Sequence, residues 1–559
     1  MTLRLRKLIN KYDCNITFFL GGMVAIVIFC LVYGVRVLDP QYDGWIFCGL
    51  KGVDLYQHYL GWLFYRKSEW HFPITLIDGI YYPHQVPVVF TDSIPLVAVI
   101  FKALSFVLPE TFQYFGLFGA LSYFLLGGFS SLILYKFTGS RVYSVIGSVF
   151  SSFSMLMLIR CYGHTALIAH WLVVASLYVM LHKEKELSIK NSCIYWSLLA
   201  FLAVGIHAYF VPMIIITMVF GIMAGVLRRE TRSQSAKKLI VCMICVSAVV
   251  VFSAYVFGYF YGSGSRTGND LGLYSFNYNS FFNTFGYSFV IGRLPFYYWG
   301  QYEGYAYLGL GIYVCLVLTI VLLVINRGKT QPLFDKEGRV SLVIYSVILI
   351  IFAGSNTVSW GDQAFRIPLP EFITSAWSIF RSSGRMIWPV FYLVTLMILA
   401  EQYRAANKKV LAVMICIMCL GLHFYENLPH ILYVNERFSV HHDRDTVLTD
   451  DIWSEIADRY DHIMICSDAN EIYQYGESTR ECFDLAYFAC EHDMTINTII
   501  LSRFEADAVN DEVEDYFSSG AATADNETVF VFLSGEPKEG YDLYYYECDG
   551  MIIGTVQPL

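Results

Sequence analysis

The stretch VDLYQHYLGWLFYRKSEWHFP, residues 53 to 73, decides how the chain is read. It is polar and aromatic, and it follows directly on the first apolar run of membrane length. Coiled as a helix, it sets Asp54, Gln57, His58 and Gly61 at i, i+3, i+4 and i+7 on one stripe, flanked by Leu55, Tyr59 and Trp62. A carboxylate, an amide and an imidazole then face the same way at a membrane edge. Asp54 in that position is either a helix N-cap, a common role for Asp, or a reactive group.

Outward from this stretch the composition sets the class. Of 559 residues, 56% are hydrophobic, 17% aromatic and only 15% charged. Such a chain is a polytopic membrane protein rather than a soluble one. The net charge of -9 conceals a split: from Ile431 onward 28 acidic residues stand against 6 basic, and before it 19 against 32. A basic membrane part therefore precedes an acidic, water-facing tail. The tendency of cytoplasmic loops to be basic accounts for the first part, so no nucleic-acid partner is needed.

Apolar runs of spanning length fall at 16–36, 112–135, 142–159, 164–181, 193–209, 211–227, 238–260, 305–325, 340–358, 386–401 and 410–427. The turns rich in Lys and Arg are the N-terminal segment, Lys136–Arg141, Lys183–Lys190, Arg228–Lys238, Arg327–Arg339 and Arg404–Lys409, and each is expected to be cytoplasmic. The basic start leads into an apolar segment with no small-residue cleavage pattern, which reads as a retained first helix. A further apolar segment, 94–108, carries Lys102 and must not cross if the basic turns are to share one side. The expectation is about eleven spans, an interfacial helix at 94–108 in a long first outer loop (37–111), a cytoplasmic N-terminus and an extracytoplasmic C-terminus in the plasma or inner membrane.

Residues 1–430 thus form a transmembrane domain and 431–559 a small extracytoplasmic α/β domain. In the latter, YDHIMIC and TVFVFLSG read as buried strands, Glu481–His492 as a helix, and DLYYYECDGMIIGTV as a hairpin turning at Asp549-Gly550. Most of the 14 cysteines sit in apolar runs, where a small buried residue suffices. Cys466, Cys482, Cys490 and Cys548 lie in the tail and, outside the cell, could pair in three ways.

No Walker loop, GxGxxG, HExxH, GxSxG or paired CxxC is present, so nucleotide hydrolysis, zinc proteolysis and triad chemistry have no local support. What remains is spread over the outer loops. Asp92, in FTDSIP, is either a second carboxylate for a metal or an acceptor sugar, or the cap of the helix that follows. Asp39 and Asp43 make a turn whose acidity is sufficiently explained by solvation. His58 could orient Asp54, bind phosphate or rest at the interface. RCYGHTALIAHW sets Arg160 and His164 at the membrane surface and His170 deeper, and His207 sits at a break near Pro212. Each histidine has the alternative of a satisfied polar group between helices. Arg381 and Arg385, four residues apart in FRSSGRMIWP, could grip a phosphate or simply anchor in headgroups, and Gly384 between them permits close backbone approach. Glu303, amid the aromatics of QYEGYAYLG, suits sugar stacking or interface packing.

An apolar first helix, then DLYQHYLGWLFYRKSEWHFP, then YYP and TDSIPLVAVIFKALSFVLP, resembles the polytopic glycosyltransferases of the GT-C fold over residues 1–430. The plan is similar to that of lipid A aminoarabinose transferases and protein O-mannosyltransferases, and the wording is closer to a bacterial YfhO-like branch. The resemblance implies an enzyme that takes a sugar from a polyprenyl-phosphate donor to a cell-envelope glycan, lipid or protein. It puts the catalytic carboxylate on Asp54. Leu55 and His164 stand where many relatives have acidic residues, so a divalent metal is allowed but not required. The expected mechanism is inverting: Asp54 is the general base, Arg381 and Arg385 with Arg160 stabilise the departing phosphate, and Gln57, His58, His164 and Glu303 line the substrate site. A flippase or transporter of lipid-linked sugar is the competing reading, and a scaffold with a partner-binding tail is the third.

Overall fold

The computed structural model describes residues 3–47, 53–262, 271–326, 332–472, 476–503, 506–533 and 542–559. Residues 327–331 of the basic turn Arg327–Arg339 and residues 263–270 lie outside these. Among the described residues, nine helices are long and apolar enough to cross a membrane: Tyr12–Tyr33, Phe115–Thr138, Thr165–Glu186, Ile189–Ile206, Phe210–Leu227, Arg232–Val256, Lys336–Gly354, Ser383–Ala405 and Lys409–Ser439. Their lipid-facing character shows in the outward side chains of Arg232–Val256, where Ile240, Ile244, Val251 and Phe252 are exposed.

Two of the apolar runs do not give long helices. Within 142–159 the helix Arg141–Ser152 stops, and only the short turns Met155–Leu158 and Arg160–Gly163 follow. The local sequence SVFSSFS explains the break, because serine hydroxyls compete for backbone carbonyls: Ser148 donates to Val145 O at 2.8 Å and Ser154 to Ser151 O at 2.9 Å. Within 305–325 the helix runs only from Leu310 to Ile325. It begins after Gly309, whose φ of 93° suits glycine, and its first amide donates to the buried Glu426 carboxylate at 2.6 Å.

The two first long helices meet backbone to backbone. A Cβ at Gly21 would lie 2.3 Å from Ser131 Oγ, and one at Gly127 2.4 Å from Gly21 O. Small residues let membrane helices pack this closely.

After the first helix come the helix Val53–Lys67, a hairpin of β1 (Leu76–Tyr81) and β2 (His84–Pro87), and the helix Pro95–Ala103. Nine residues of helix span about 14 Å, well short of a bilayer core. A second hairpin, β3 (Thr357–Trp360) and β4 (Gln363–Arg366), follows Lys336–Gly354.

The C-terminal region carries β5 (His462–Ile465), β6 (Thr495–Ile496), β7 (Thr528–Phe532), β8 (Tyr544–Cys548) and β9 (Met551–Thr555) in one sheet of order β6-β5-β7-β9-β8. β5 pairs in parallel with β6 and β7, while β9 pairs antiparallel with β7 and β8. β7 is buried along its whole length, as the apolar run VFVF after Thr528 requires. The β8–β9 turn uses Asp549 and Gly550 at φ 49° and 80°, the mirror-turn geometry expected of Asp-Gly. The helix Glu477–Glu491 packs beside this sheet, and Cys482, Cys490 and Cys548 stand as free thiols.

A continuous apolar core passes from the bundle through the first loop into this sheet unit. The junction is polar at its edges. Tyr56 donates to Asp484 Oδ1 at 2.7 Å, Lys67 pairs with Asp493 at 2.7 Å, and Tyr82 stacks on His462 with centroids 4.3 Å apart.

Replacing Gly127 with Leu is expected to prise the first two long helices apart and destabilise the protein by about 1–3 kcal/mol. Gly421→Ala, where a Cβ meets nothing within 4 Å, serves as the neutral control. Thermal unfolding in detergent micelles reads both, and equal midpoints for the two variants would refute this packing.

Candidate functional site

The stripe on Val53–Lys67 faces the segment Phe90–Ser93. Gly61 makes the approach possible: a Cβ there would sit 2.1 Å from Thr91 Oγ1. Gln57 Nε2 donates to Phe90 O at 3.2 Å, and Ser93 Oγ donates to His58 O at 2.6 Å. These bonds hold Asp92 and Ile94 in the left-handed region, at φ 53° and 55°. For a β-branched residue that conformation stores about 1–3 kcal/mol of strain, a feature that clusters at functional sites.

Asp92 makes no capping bond to the Pro95–Ala103 helix, whose N-cap residue is Ile94. Its carboxylate turns instead toward two histidines. Oδ2 lies 3.5 Å from His164 Nε2, and Oδ1 lies 3.7 Å from His207 Nε2. His58 stands next to His164, with ring centroids 5.0 Å apart, and its Nδ1 is 2.7 Å from Thr165 Oγ1.

Beside this group lies an ion cluster centred on Glu303. Arg160 Nη2 reaches Glu303 Oε2 at 2.9 Å, while Arg385 donates from Nε to Oε2 at 2.9 Å and from Nη2 to Oε1 at 2.7 Å. All three side chains are buried, at 4% to 6% exposure, so the cluster holds together where water cannot screen it. Gly384 lets the chain approach this closely: its amide donates to Tyr274 O at 3.0 Å, and a Cβ on it would lie 2.8 Å from Gly304 N. Trp388 and Tyr209 complete the walls, with the Arg160 guanidinium 5.1 Å from the Trp388 ring and that of Arg385 4.5 Å from Tyr209.

Asp54 occupies the first turn of its helix, partly exposed, within the field of both groups. Burial, then the Glu303 charge, pushes its carboxyl up to about 6, against the pull of Arg385, Arg381 and Arg160. Burial, then Asp54, raises Asp92 to about 7. Burial lowers His58 to about 3 and holds His164 and His207 well below the usual imidazole value, so all three are neutral at pH 7. For Glu303 burial alone would raise the carboxyl, but Arg160 and Arg385 outweigh it and hold it below the usual range.

Of the residues expected from sequence, the structure brings Asp54, Asp92, His58, His164, Arg160, Glu303 and Arg385 together. Gln57 serves as a strut rather than a lining group. Residues 381–385 form a turn and the start of a 3-10 segment (Ser383–Ile387), so the two arginines do not stack one turn apart. Arg385 has its Nε and Nη2 on Glu303, and the Arg381 guanidinium lies 5.0 Å from the Tyr274 ring. His170 sits between helices, with its Nδ1 2.8 Å from Tyr392 OH and its ring stacked on Trp388, while its buried Nε2 has no hydrogen-bond partner among the described residues. Arg503, which sequence reasoning missed, comes from the C-terminal sheet unit: the Ser502 amide donates to Phe90 O at 2.8 Å, and the Arg503 charge acts on Asp92. A basic residue in an otherwise acidic tail was the available signal.

A family model described as "Domain of unknown function (DUF6311)" matches residues 22–426, and one described as "DUF6311 C-terminal domain" matches residues 452–556. No curated protein matches the chain.

Glu303→Gln removes the counter-charge of two buried guanidinium groups, which is expected to destabilise the protein by about 3–5 kcal/mol. Chemical denaturation of purified protein checks this, and a loss within that of an exposed control such as Glu436→Gln would contradict it.

Proposed function

The chain belongs to DUF6311, a family of domains of unknown function, so its chemistry rests on its own residues; from them we propose a GT-C-like membrane glycosyltransferase. It takes a sugar from a polyprenyl-phosphate donor to a cell-envelope acceptor on the extracytoplasmic face. The observation that carries the reading is the placing of Asp54, a partly exposed carboxylate held near pH 6, against a cluster with a net positive charge. Two guanidinium groups against one carboxylate leave one positive charge, and Arg381 adds to it. An anionic lipid phosphate suits that charge, and a base suits the alcohol that attacks.

In this mechanism Asp54 takes the proton of the acceptor hydroxyl. The acceptor oxygen forms its bond to the anomeric carbon from the face opposite the phosphate, and the bond from that carbon to the phosphate oxygen breaks. The configuration inverts, and lipid phosphate leaves with the electron pair. Arg160 and Arg385, fixed by Glu303, supply a positive potential that needs no rearrangement as charge grows on the phosphate. Asp92 and the three neutral histidines shape the acceptor side, and Arg503 closes it from the C-terminal unit.

Asp54→Asn is expected to leave the fold intact and to lower transfer by about 10² to 10⁴. Wild-type transfer should rise with pH through about 6, because Asp54 must lose its proton to act, and the variant should lack that rise. The same raised pKa makes ionised Asp54 unfavourable to folding, so between about pH 4, the unfolded value, and pH 6 Asp54→Asn should gain stability relative to wild type as pH increases. Wild-type turnover in the variant sinks the proposal. Movement of lipid-linked sugar across vesicles without transfer would support a flippase instead.

A further inference from the structure

Three metal-ligating side chains from separate segments meet beside Asp54. His58 comes from the Val53–Lys67 helix, Asp92 from the strained corner before Pro95–Ala103, and His164 from the end of the Arg160–Gly163 turn. One ligand atom of each lies within 4.8 Å of the others. The separation between His164 Nε2 and Asp92 Oδ2, 3.5 Å, is long for a hydrogen bond between imidazole and carboxylate. It is close to the edge of a tetrahedron of ligands about 2.0–2.1 Å from one ion, roughly 3.3 Å.

The surrounding bonds assign each ring a part. Thr165 Oγ1 occupies His58 Nδ1, which leaves Nε2 to ligate. His207 Nδ1 accepts the Tyr209 amide at 3.2 Å, so its Nε2 carries the ring proton and faces Asp92 Oδ1 at 3.7 Å, an electrostatic contact longer than a hydrogen bond. His207 is thus a support for the carboxylate rather than a ligand. His164 packs between the rings of His58 and His207, with centroids 5.0 Å and 5.3 Å away, and turns its Nε2 toward Asp92, which makes Nε2 the nitrogen free to ligate.

We infer that His58, His164 and Asp92 bind one divalent transition-metal ion of the zinc class, with His207 holding Asp92 in place and a fourth position left for a water or phosphate oxygen. Two imidazoles and one carboxylate favour such an ion over magnesium or calcium, which prefer all-oxygen shells. Three protein ligands are the pattern of sites that keep a position open, where structural zinc sites use four. The inference is independent of sugar transfer, since metal content is measured without substrate.

The test uses the full-length protein in detergent, stripped with chelator, incubated with zinc chloride, washed and assayed for zinc by elemental analysis. Wild type should retain about one zinc per chain, and His164→Gln and Asp92→Asn should retain little. His207→Gln should bind about 10- to 100-fold more weakly, as loss of an outer-shell partner does, while His441→Gln, an exposed histidine elsewhere, should match wild type. Cobalt substituted for zinc should give visible absorption bands in wild type that His164→Gln lacks, and magnesium should not displace it. Size-exclusion profiles and thermal midpoints identify any variant that fails to fold, in which case Asp92→Glu and His58→Gln replace it. Failure of wild type to retain stoichiometric zinc, or equal retention by wild type and the ligand variants, overturns the inference and leaves a hydrogen-bonded cluster only.

Discussion

The carboxylate of Glu303, gripped by Arg160 and Arg385, is the interaction on which the rest of the site depends. It ties together three segments distant in sequence: the broken run after Arg141–Ser152, the 3-10 segment Trp299–Gly304, and the start of the Ser383–Ala405 span. Each guanidinium removed from water needs a partner, and each partner must be in place before the segments can pack. The backbone contact of Gly384 with Gly304 makes room for that pairing, and the aromatic faces of Trp388 and Tyr209 cover it. A cluster fixed in this way offers a positive potential that does not have to be assembled during a reaction.

A second constraint sits opposite. Gly61, Gln57 and Ser93 lash the corner carrying Asp92 to the helix carrying Asp54, so the two carboxylates are held on one rigid support rather than on a loose loop. The sheet unit then presses on the same support through Tyr56, Lys67 and Tyr82, and brings Arg503 to the rim. Its role is therefore tied to the first loop, and the two parts share one apolar core.

Much of this was legible in the chain, for identifiable reasons. Period 3.6 placed Asp54, Gln57, His58 and Gly61 on one face; Gln57, His58 and Gly61 meet the Phe90–Ser93 corner, and the charge of Asp54 acts on Asp92. The tail's strands and its Asp-Gly turn followed from local pattern, and so did the membrane helices. What local pattern could not carry was long-range pairing. Hydropathy reads 142–159 as one span, yet serine hydroxyls and the need to deliver Arg160 to Glu303 break it. The run at 305–325 is shortened by Glu426, 116 residues from the Leu310 amide it caps. Arg381 and Arg385 were spaced as for an α-helix, whereas Gly384 bends that segment into a tighter turn. Asp92 read as the cap of the following helix or as a second carboxylate, and its local sequence carries no sign of His164 and His207, which its carboxylate faces.

The claim at the centre of this account is that the polar end of the bundle transfers sugar from a lipid phosphate with inversion. The most direct measurement is incubation of the purified full chain with labelled polyprenyl-phosphate sugars and a panel of envelope acceptors, following both lipid phosphate release and the anomeric configuration of the product. The account predicts release coupled one to one with a product of inverted configuration. Retained configuration, or no consumption of any donor by folded protein, would contradict it.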